Sequence, residues 1–165
     1  MEVWVVAASK YGSTSEIAEA ISGELRDAGH RTRLLDAAGV GSFEGAGAVV
    51  LGSAVYAGRW RKHARHLLDR HGAELKGRPV WLFSSGPTGE PPIPEDAEPV
   101  DVAGAVEATG AREHRVFAGK LDRSVLKMRD RMLVNALKAQ DGDFRDWEAI
   151  RAWARSIARE LEDLG

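Results

Sequence analysis

A chain of 165 residues, 44% of them hydrophobic, is long enough to bury one sizeable core and too short for two ordinary domains. It has no cysteine, which excludes disulfides, thiolate nucleophiles and cysteine-ligated metal centres, so any redox chemistry requires a bound organic cofactor. The net charge of −2 argues against a nucleic-acid partner, and no apolar run is long enough to span a bilayer. Met1–Ala8 lacks the basic start of a signal peptide. We therefore expect one cytoplasmic domain covering residues 1–165.

Short apolar runs rich in β-branched residues alternate with helical patterns along the chain. This order is typical of an α/β fold with a doubly wound, five-stranded parallel sheet and helices on both faces. Residues 84–99 contain five of the six prolines and are predicted to form a long surface loop after the fourth strand. The predicted strands are Val3–Ala8, Thr32–Leu35, Ala48–Gly52, Val80–Ser84 and Arg115–Ala118; helices are predicted over Ser13–Ala28, from near Trp60, from near Val100, and after an N-cap at Asp143 or Asp146.

The stretch SKYGSTS, residues 9–15, lies where the first predicted strand gives way to the first helix. A helix N-terminus presents backbone N–H groups without partners and a partial positive charge, so it stabilises an anion. The serine and threonine hydroxyls add donors, and Gly12 permits a tight turn. The pattern predicts a cradle for one phosphate, with an ordinary serine-capped helix as the alternative. The position favours the cradle, because doubly wound sheets bind ligands at the carboxyl ends of their strands.

The same corner resembles the first loop of the flavodoxin superfamily, Thr/Ser-x-Thr-x-x-Thr, which holds the phosphate of FMN. Tyr11 stands where conventional flavodoxins usually have threonine. The resemblance implies FMN as the cofactor, and FAD is not expected because a dinucleotide fingerprint is absent. It also implies that the loops after the third and fourth strands hold the isoalloxazine ring, and that no catalytic side chain is needed. The predicted cofactor-binding residues are Ser9, Lys10, Tyr11, Gly12, Ser13, Thr14, Ser53, Ala54, Val55, Tyr56, Ala57, Gly58, Ser85, Gly86, Pro87, Thr88 and Gly89.

A closer resemblance, over nearly the whole chain, is to flavodoxin-like proteins of the menaquinone-dependent protoporphyrinogen oxidase type. It is carried by SKYGSTSEIAEAI, VVLGSAVYAGRWRKHARHLL, VFAGKLD and DFRDWEAIRAWARSIA. That family has an insertion before its last helix, and residues 120–140 occupy this place. The resemblance implies an FMN-dependent enzyme of heme biosynthesis that oxidises protoporphyrinogen IX and passes electrons to a quinone.

Basic residues are concentrated after the third strand, where Asp69 is the only acid between Arg59 and Arg70. Arg59, Trp60 and Arg61 lie at the lip of the predicted flavin site, where cations would attract a substrate carboxylate or an acidic redox partner protein. Trp60 is expected either over the ring or against the following helix.

The insertion carries a second basic concentration. Residues 122–139 are predicted to form an amphipathic helix that docks on an anionic membrane surface at the inner face of the membrane. Packing on its own domain or in a homodimer is the alternative. Its apolar residues are Val125, Leu126, Met128, Met132, Leu133 and Leu137, and its basic residues include Lys127, Arg129, Arg131 and Lys138.

Other chemistries find less support in the sequence. His63 and His66 are one helical turn apart, but further ligands are not evident, and no metal site is predicted.

Two alternatives to an enzyme stay open. One is an electron carrier without a substrate of its own, and the other is a flavin-binding module whose insertion recruits a partner protein.

Overall fold

Five parallel strands form the centre of the molecule in a computed structural model that describes residues 1–56, 58–86, 102–136 and 142–165. Their order across the sheet is β2-β1-β3-β5-β6, with the short β4 antiparallel to β3. The predicted α/β class and five-stranded parallel sheet are confirmed. The strands are β1 (Glu2–Ala8), β2 (Arg31–Asp36), β3 (Ala48–Tyr56), β4 (Arg59–Trp60), β5 (Val80–Ser85), β6 (Glu113–Phe117), β7 (Lys120–Leu121) and β8 (Gly142–Asp143).

Helices cover both faces of the sheet, as the alternating pattern predicts. They are α1 (Ser13–Asp27), α2 (Lys62–Lys76), α3 (Val102–Thr109), α4 (Met128–Ala136) and α5 (Trp147–Leu164). One apolar cluster lies between the sheet and helices α1 and α5, and a second lies on the α2 and α3 side. The central strands are buried on both faces because their runs are apolar throughout. No helix among the described residues is long and apolar enough to cross a membrane.

The last helix begins at the second of the two predicted caps. The Asp146 carboxylate accepts a hydrogen bond of 3.0 Å from the backbone N–H of Ala149 and satisfies a free donor of the first turn. Asp143 instead lies in β8 and binds the Arg145 side chain. The helix buries a stripe at helical spacing that includes Ile150, Trp153, Ile157 and Leu161.

The chain after the third predicted strand differs from the sequence prediction. Strand β3 runs on to Tyr56, past Gly52, and pairs with Arg59–Trp60, so the segment predicted as a loop and a helix start is a hairpin. Helix α2 therefore begins at Lys62. Gly58 has a φ of 76°, a left-handed conformation that glycine adopts without cost and that lets the chain reverse beside the sheet. The predicted proline-rich loop lies largely outside the described residues.

The segment between β6 and α5 is a small substructure of its own. Strands β7 and β8 pair in antiparallel fashion, Lys120 opposite Asp143 and Leu121 opposite Gly142. Helix α4 lies between them in sequence and begins at Met128, six residues after the start of the predicted helix over 122–139. Asp122 accepts a hydrogen bond from the backbone N–H of Ser124, which starts a 3-10 turn over Arg123–Val125 instead of an α-helix. We call residues 119–145 the inserted segment.

Candidate functional site

The three predicted loops meet at one edge of the sheet. Strand register places Ala8 beside Ser53, Ser53 beside Ser84, and Ala54 beside Ser85. The chain therefore leaves β1, β3 and β5 at the same edge, the carboxyl edge where such sheets bind ligands. The predicted residues of these loops share one region of the molecule. Ala57, Pro87, Thr88 and Gly89 lie outside the described residues, and their part in the site stays a prediction.

The first loop has the features of an anion cradle. Gly12 precedes α1 with a φ of 88°, and within the described part of the chain no side chain caps the free N–H groups of the first turn. The Ser9 hydroxyl accepts a hydrogen bond of 3.1 Å from the backbone N–H of Gly12, which fixes the turn. Thr14 is buried, and the Ser13 hydroxyl is buried with no hydrogen-bond partner among the described residues. A buried polar group without a partner can accept a water, an ion or a ligand, and a hydroxyl at a free helix N-terminus suits a phosphate ester.

Tyr56 lies at the end of β3, half-buried, with the Arg61 guanidinium 5.5 Å from the centre of its ring. Burial, with the nearby Asp130 carboxylate and Tyr11, raises the pKa of the Tyr56 phenol to about 12, and Arg61 opposes that rise. The phenol is therefore neutral at physiological pH. Arg59 is exposed on β4, opposite Tyr56 in the hairpin. These positions match the aromatic and cationic roles predicted from the sequence, and contact with a flavin or substrate stays a prediction.

The position of the Trp60 side chain corrects part of the sequence prediction. Its side chain is 2% exposed and lies in the apolar cluster with Ala64 and Leu67 of α2. The indole N–H donates to the Ser84 hydroxyl at 2.7 Å, and that hydroxyl bonds to His114 Nε2 at 2.8 Å. Trp60 therefore packs against the following helix, which is one of its two expected positions. The prediction that it touches a substrate or partner is wrong, because burial hides the ring.

Ser53 and Ser85, the predicted site residues of β3 and β5, are both buried. The Ser53 hydroxyl donates to the carbonyl of Ala54 at 2.8 Å and accepts from the backbone N–H of Arg61 at 2.9 Å, so it joins β3 to the start of α2. Ser85 is buried, and Gly86 follows it with its N–H bonded to the Phe117 carbonyl at 2.9 Å. Ser53 thus shapes the corner through internal bonds, and Ser85 ends β5 inside the protein.

The inserted segment contributes two residues to the first loop that the sequence did not reveal. Asp130 of α4 accepts hydrogen bonds from the Lys10 ammonium and the Tyr11 hydroxyl. Burial opposes ionisation of Asp130, but these two donors outweigh it and lower the pKa of the carboxyl. The Tyr11 oxygen also accepts a bond of 3.1 Å from the Lys127 backbone N–H. A hydrogen bond across 119 or 120 residues leaves no local signal in the sequence.

Arg145 is the second such residue. Its guanidinium is 4% exposed, donates to the Ser13 carbonyl at 3.3 Å and lies 3.4 Å from Glu16. It also donates to both oxygens of Asp143 at 2.8 and 2.7 Å, and these bonds lower the pKa of that carboxyl. The ring of Trp147 lies 4.6 Å beneath it. The inserted segment is thus attached to the first loop at two points, through Asp130 of α4 and through Arg145 at its C-terminal end.

The sequence matches the model of a flavodoxin-domain family (Flavodoxin_5: Flavodoxin domain) over residues 4–147. No curated protein sequence gives a match. Among solved structures, a flavodoxin from the domain Archaea is similar, with a TM-score of 0.65, 17% identity, and coverage of 98% of this chain and 99% of that one. Oxidised flavodoxin 1 from Bacillus cereus gives a TM-score of 0.64 and 16% identity, covering 96% of this chain and 98% of that one.

A rubredoxin:oxygen oxidoreductase from Desulfovibrio gigas is also similar, with a TM-score of 0.66 and 19% identity. The similarity covers 98% of this chain and 36% of that larger one. At these identities the structural comparisons establish the fold. The family match spans most of the chain, and the chain belongs to this flavodoxin family.

Proposed function

We propose that the chain binds FMN and acts as an FMN-dependent oxidoreductase. The observation that carries the proposal is the buried Ser13 hydroxyl at the N-terminus of α1, where none of the described side chains bonds to this hydroxyl or caps the helix. Phosphate is the anion that such a helix start favours, and one cradle suits a mononucleotide. Membership of the flavodoxin family supports the same cofactor. Bound FMN would supply the redox chemistry by accepting a hydride or single electrons at its ring.

The protein's own groups would bind and orient the reactants. The N–H groups of the first turn of α1, with Ser9, Ser13 and Thr14, would hold the phosphate. Tyr56 would present its neutral ring to the flavin. Arg61 lies against the Tyr56 ring, so positive charge stands beside this part of the site. That charge would attract an anionic reactant and favour the reduced cofactor.

For the substrate we propose protoporphyrinogen IX, with a quinone as electron acceptor. The two propionates of this tetrapyrrole suit the exposed Arg59 and the neighbouring Arg61. Each loss of two hydrogen atoms from the tetrapyrrole is balanced by the reduction of one quinone to its quinol. The support is the arginine pair and the resemblance of the whole chain, inserted segment included, to the menaquinone-dependent oxidases. The competing function is that of an electron carrier, which the full-length similarity to solved flavodoxins favours.

Anaerobic turnover separates the two functions. The purified protein, reconstituted with FMN, is expected to show a flavin absorption spectrum and to convert protoporphyrinogen IX to fluorescent protoporphyrin only when a quinone is added. Replacing Arg59 with glutamine should raise KM for the tetrapyrrole by about tenfold, the scale of one lost charge-assisted contact, without changing the spectrum. Arg70→Gln, an exposed arginine of α2, is the matched control. A flavin spectrum without turnover would reject this substrate and favour a carrier or a flavin-binding module, and absence of FMN binding would overturn both functions.

The exposed face of the inserted segment is proposed to contact an anionic membrane. Val125, Met128 and Met132 are 58%, 78% and 66% exposed and follow one another at three- and four-residue spacing. Lys127, Arg129 and Arg131 lie exposed beside them, while Leu126 is buried against the protein. Methionine and valine can enter the interface while each nearby cation gains about 1 kcal/mol from anionic lipid. Two copies meeting on this face would bring like charges together, which disfavours a homodimer here.

Vesicle sedimentation tests the membrane contact. The protein is expected to sediment with anionic vesicles at low salt, to remain in the supernatant with neutral vesicles, and to be released as salt screens its charges. The double variants Met128→Gln/Met132→Gln and Arg129→Gln/Arg131→Gln should each reduce binding severalfold. Arg26→Gln/Arg70→Gln removes the same charge from other exposed positions and should bind as the parent does. Equal recovery in the supernatant under every condition would refute membrane binding, and concentration-dependent dimerisation lost in the methionine variant would assign this face to a second copy.

A further inference from the structure

Asp130 is a nearly buried carboxylate that the inserted segment places against the first loop. Its side chain is 12% exposed, and it accepts hydrogen bonds from the Lys10 ammonium and the Tyr11 hydroxyl. Both donors belong to the loop predicted to hold the cofactor phosphate. The ion pair therefore belongs to the wall of the site, although one partner comes from a segment outside the core sheet.

The charge of Asp130 also acts on Tyr56 and Arg61, which lie at and just after the end of β3. It raises the pKa of Tyr56, and the Arg61 guanidinium lowers that of Asp130, so the carboxylate is within electrostatic reach of the loop after β3. Screening by solvent is weak for a group so little exposed. Asp130 is thus hydrogen-bonded to the loop that would hold the phosphate, and its charge acts on the residues that would face the ring.

We propose that Asp130 is a positioning residue that lowers the reduction potential of the bound flavin. This inference rests on the proposed FMN binding. Reduction adds negative charge to the cofactor, and a fixed carboxylate nearby makes that addition less favourable. Asp130 also restrains Lys10, whose positive charge would otherwise be free to move toward the cofactor. The inserted segment thereby offsets the cations that the first loop and α2 bring to the site.

The two partners of the ion pair allow electrostatics to be separated from structure. Asp130→Asn and Lys10→Met break the same contact, so a purely structural effect would change the flavin site in the same direction in both variants. They alter the charge in opposite directions. An electrostatic effect therefore moves the flavin potentials of the two variants in opposite directions. The double variant has the parent charge, so its potential should return toward the parent value.

The experiment measures the two-electron midpoint potential of the FMN-loaded protein by equilibration with reference dyes. Asp130→Asn is expected to favour the reduced flavin by about tenfold, a rise of about 30 mV, and Lys10→Met to lower the potential. Asp122→Asn is the matched control, since this acid of the same segment is exposed and hydrogen-bonds to Ser124. Shifts of the same sign in Asp130→Asn and Lys10→Met, or no shift in Asp130→Asn, would overturn the inference while leaving FMN binding intact.

A second readout needs no flavin. In the apoprotein, tyrosinate absorbance after rapid pH jumps should show a titration phase near pH 12 that belongs to Tyr56. This phase should be lost in Tyr56→Phe. Because the Asp130 charge raises this pKa, Asp130→Asn should move the phase to lower pH, and Asp122→Asn should leave it in place. If the Tyr56 phase stayed at the same pH in Asp130→Asn, Asp130 would not act on Tyr56. Failure of FMN binding alone would reject the proposed function without changing this result.

Discussion

Replacing Ser13 with aspartate is expected to weaken FMN binding by at least about a hundredfold and to change riboflavin binding by less than about threefold. The substitution puts a carboxylate where the buried, unpartnered hydroxyl now lies, at the proposed phosphate position. Two unit charges about 4 Å apart repel by about 4 kcal/mol at an effective dielectric constant of about 20, and partial hydration reduces this figure. Riboflavin lacks the phosphate and escapes the repulsion. Quenching of flavin fluorescence on titration with apoprotein measures both affinities.

Ser15→Asp is the matched control for this prediction. It adds the same charge to the first turn of α1, but two residues on, which places it on the other side of the helix. It should affect FMN and riboflavin alike and only slightly. If Ser13→Asp lowered the affinities for both ligands equally, the phosphate would not lie at Ser13, and a general disturbance of the loop would account for the loss.

Replacing Gly52 with alanine is expected to destabilise the fold by about 3 kcal/mol, the upper part of the range for overpacking a core. A Cβ at this position would overlap the ring of Phe83, whose strand pairs with β3 at this point. The Phe83 ring cannot retreat, because Phe117 and Trp153 pack against it at centroid distances of 6.3 and 6.1 Å. Urea unfolding followed by tryptophan fluorescence measures the loss.

Two variants separate this clash from a general intolerance of alanine. Gly23→Ala, within α1, has only the flexible end of Arg26 within 4 Å, at 3.9 Å, and should stabilise the protein by up to about 1 kcal/mol through helix propensity. Phe83→Leu should recover part of the stability lost in Gly52→Ala by removing the ring atoms that clash. Additive losses in the double variant would show that the ring is not the cause.

Local features made the turn of the first loop and the sheet predictable from sequence. The apolar runs of β1, β3 and β5 and the stripe of α1 follow the periodicities of strand and helix directly. The first loop was predictable because its serines and Gly12 lie consecutively, between a strand and a helix. Tyr56 was predicted in the loop after β3, at the edge where the carboxyl ends of parallel strands meet, and the structure extends β3 to include it.

The remaining features depend on contacts that have no local signature. The Arg59–Trp60 hairpin was missed because its pairing with β3 competes with the start of a helix. Trp60 was placed at the site by its charged neighbours, yet its large apolar ring is better buried, with its N–H satisfied by Ser84. Asp130 and Arg145 were missed because tertiary packing brings them to the first loop from far along the chain.

The attachment of the inserted segment to the first loop also sets the order in which the site can be completed during synthesis. Lys10 and Tyr11 leave the ribosome early, but Asp130 follows 120 and 119 residues later, and Arg145 comes 132 residues after Ser13. Contacts this distant in sequence form late and slow folding. A nascent chain can therefore build the sheet from β1 to β5 while its first loop still lacks these partners. We expect the cofactor to be captured in its final environment only after translation has passed residue 145.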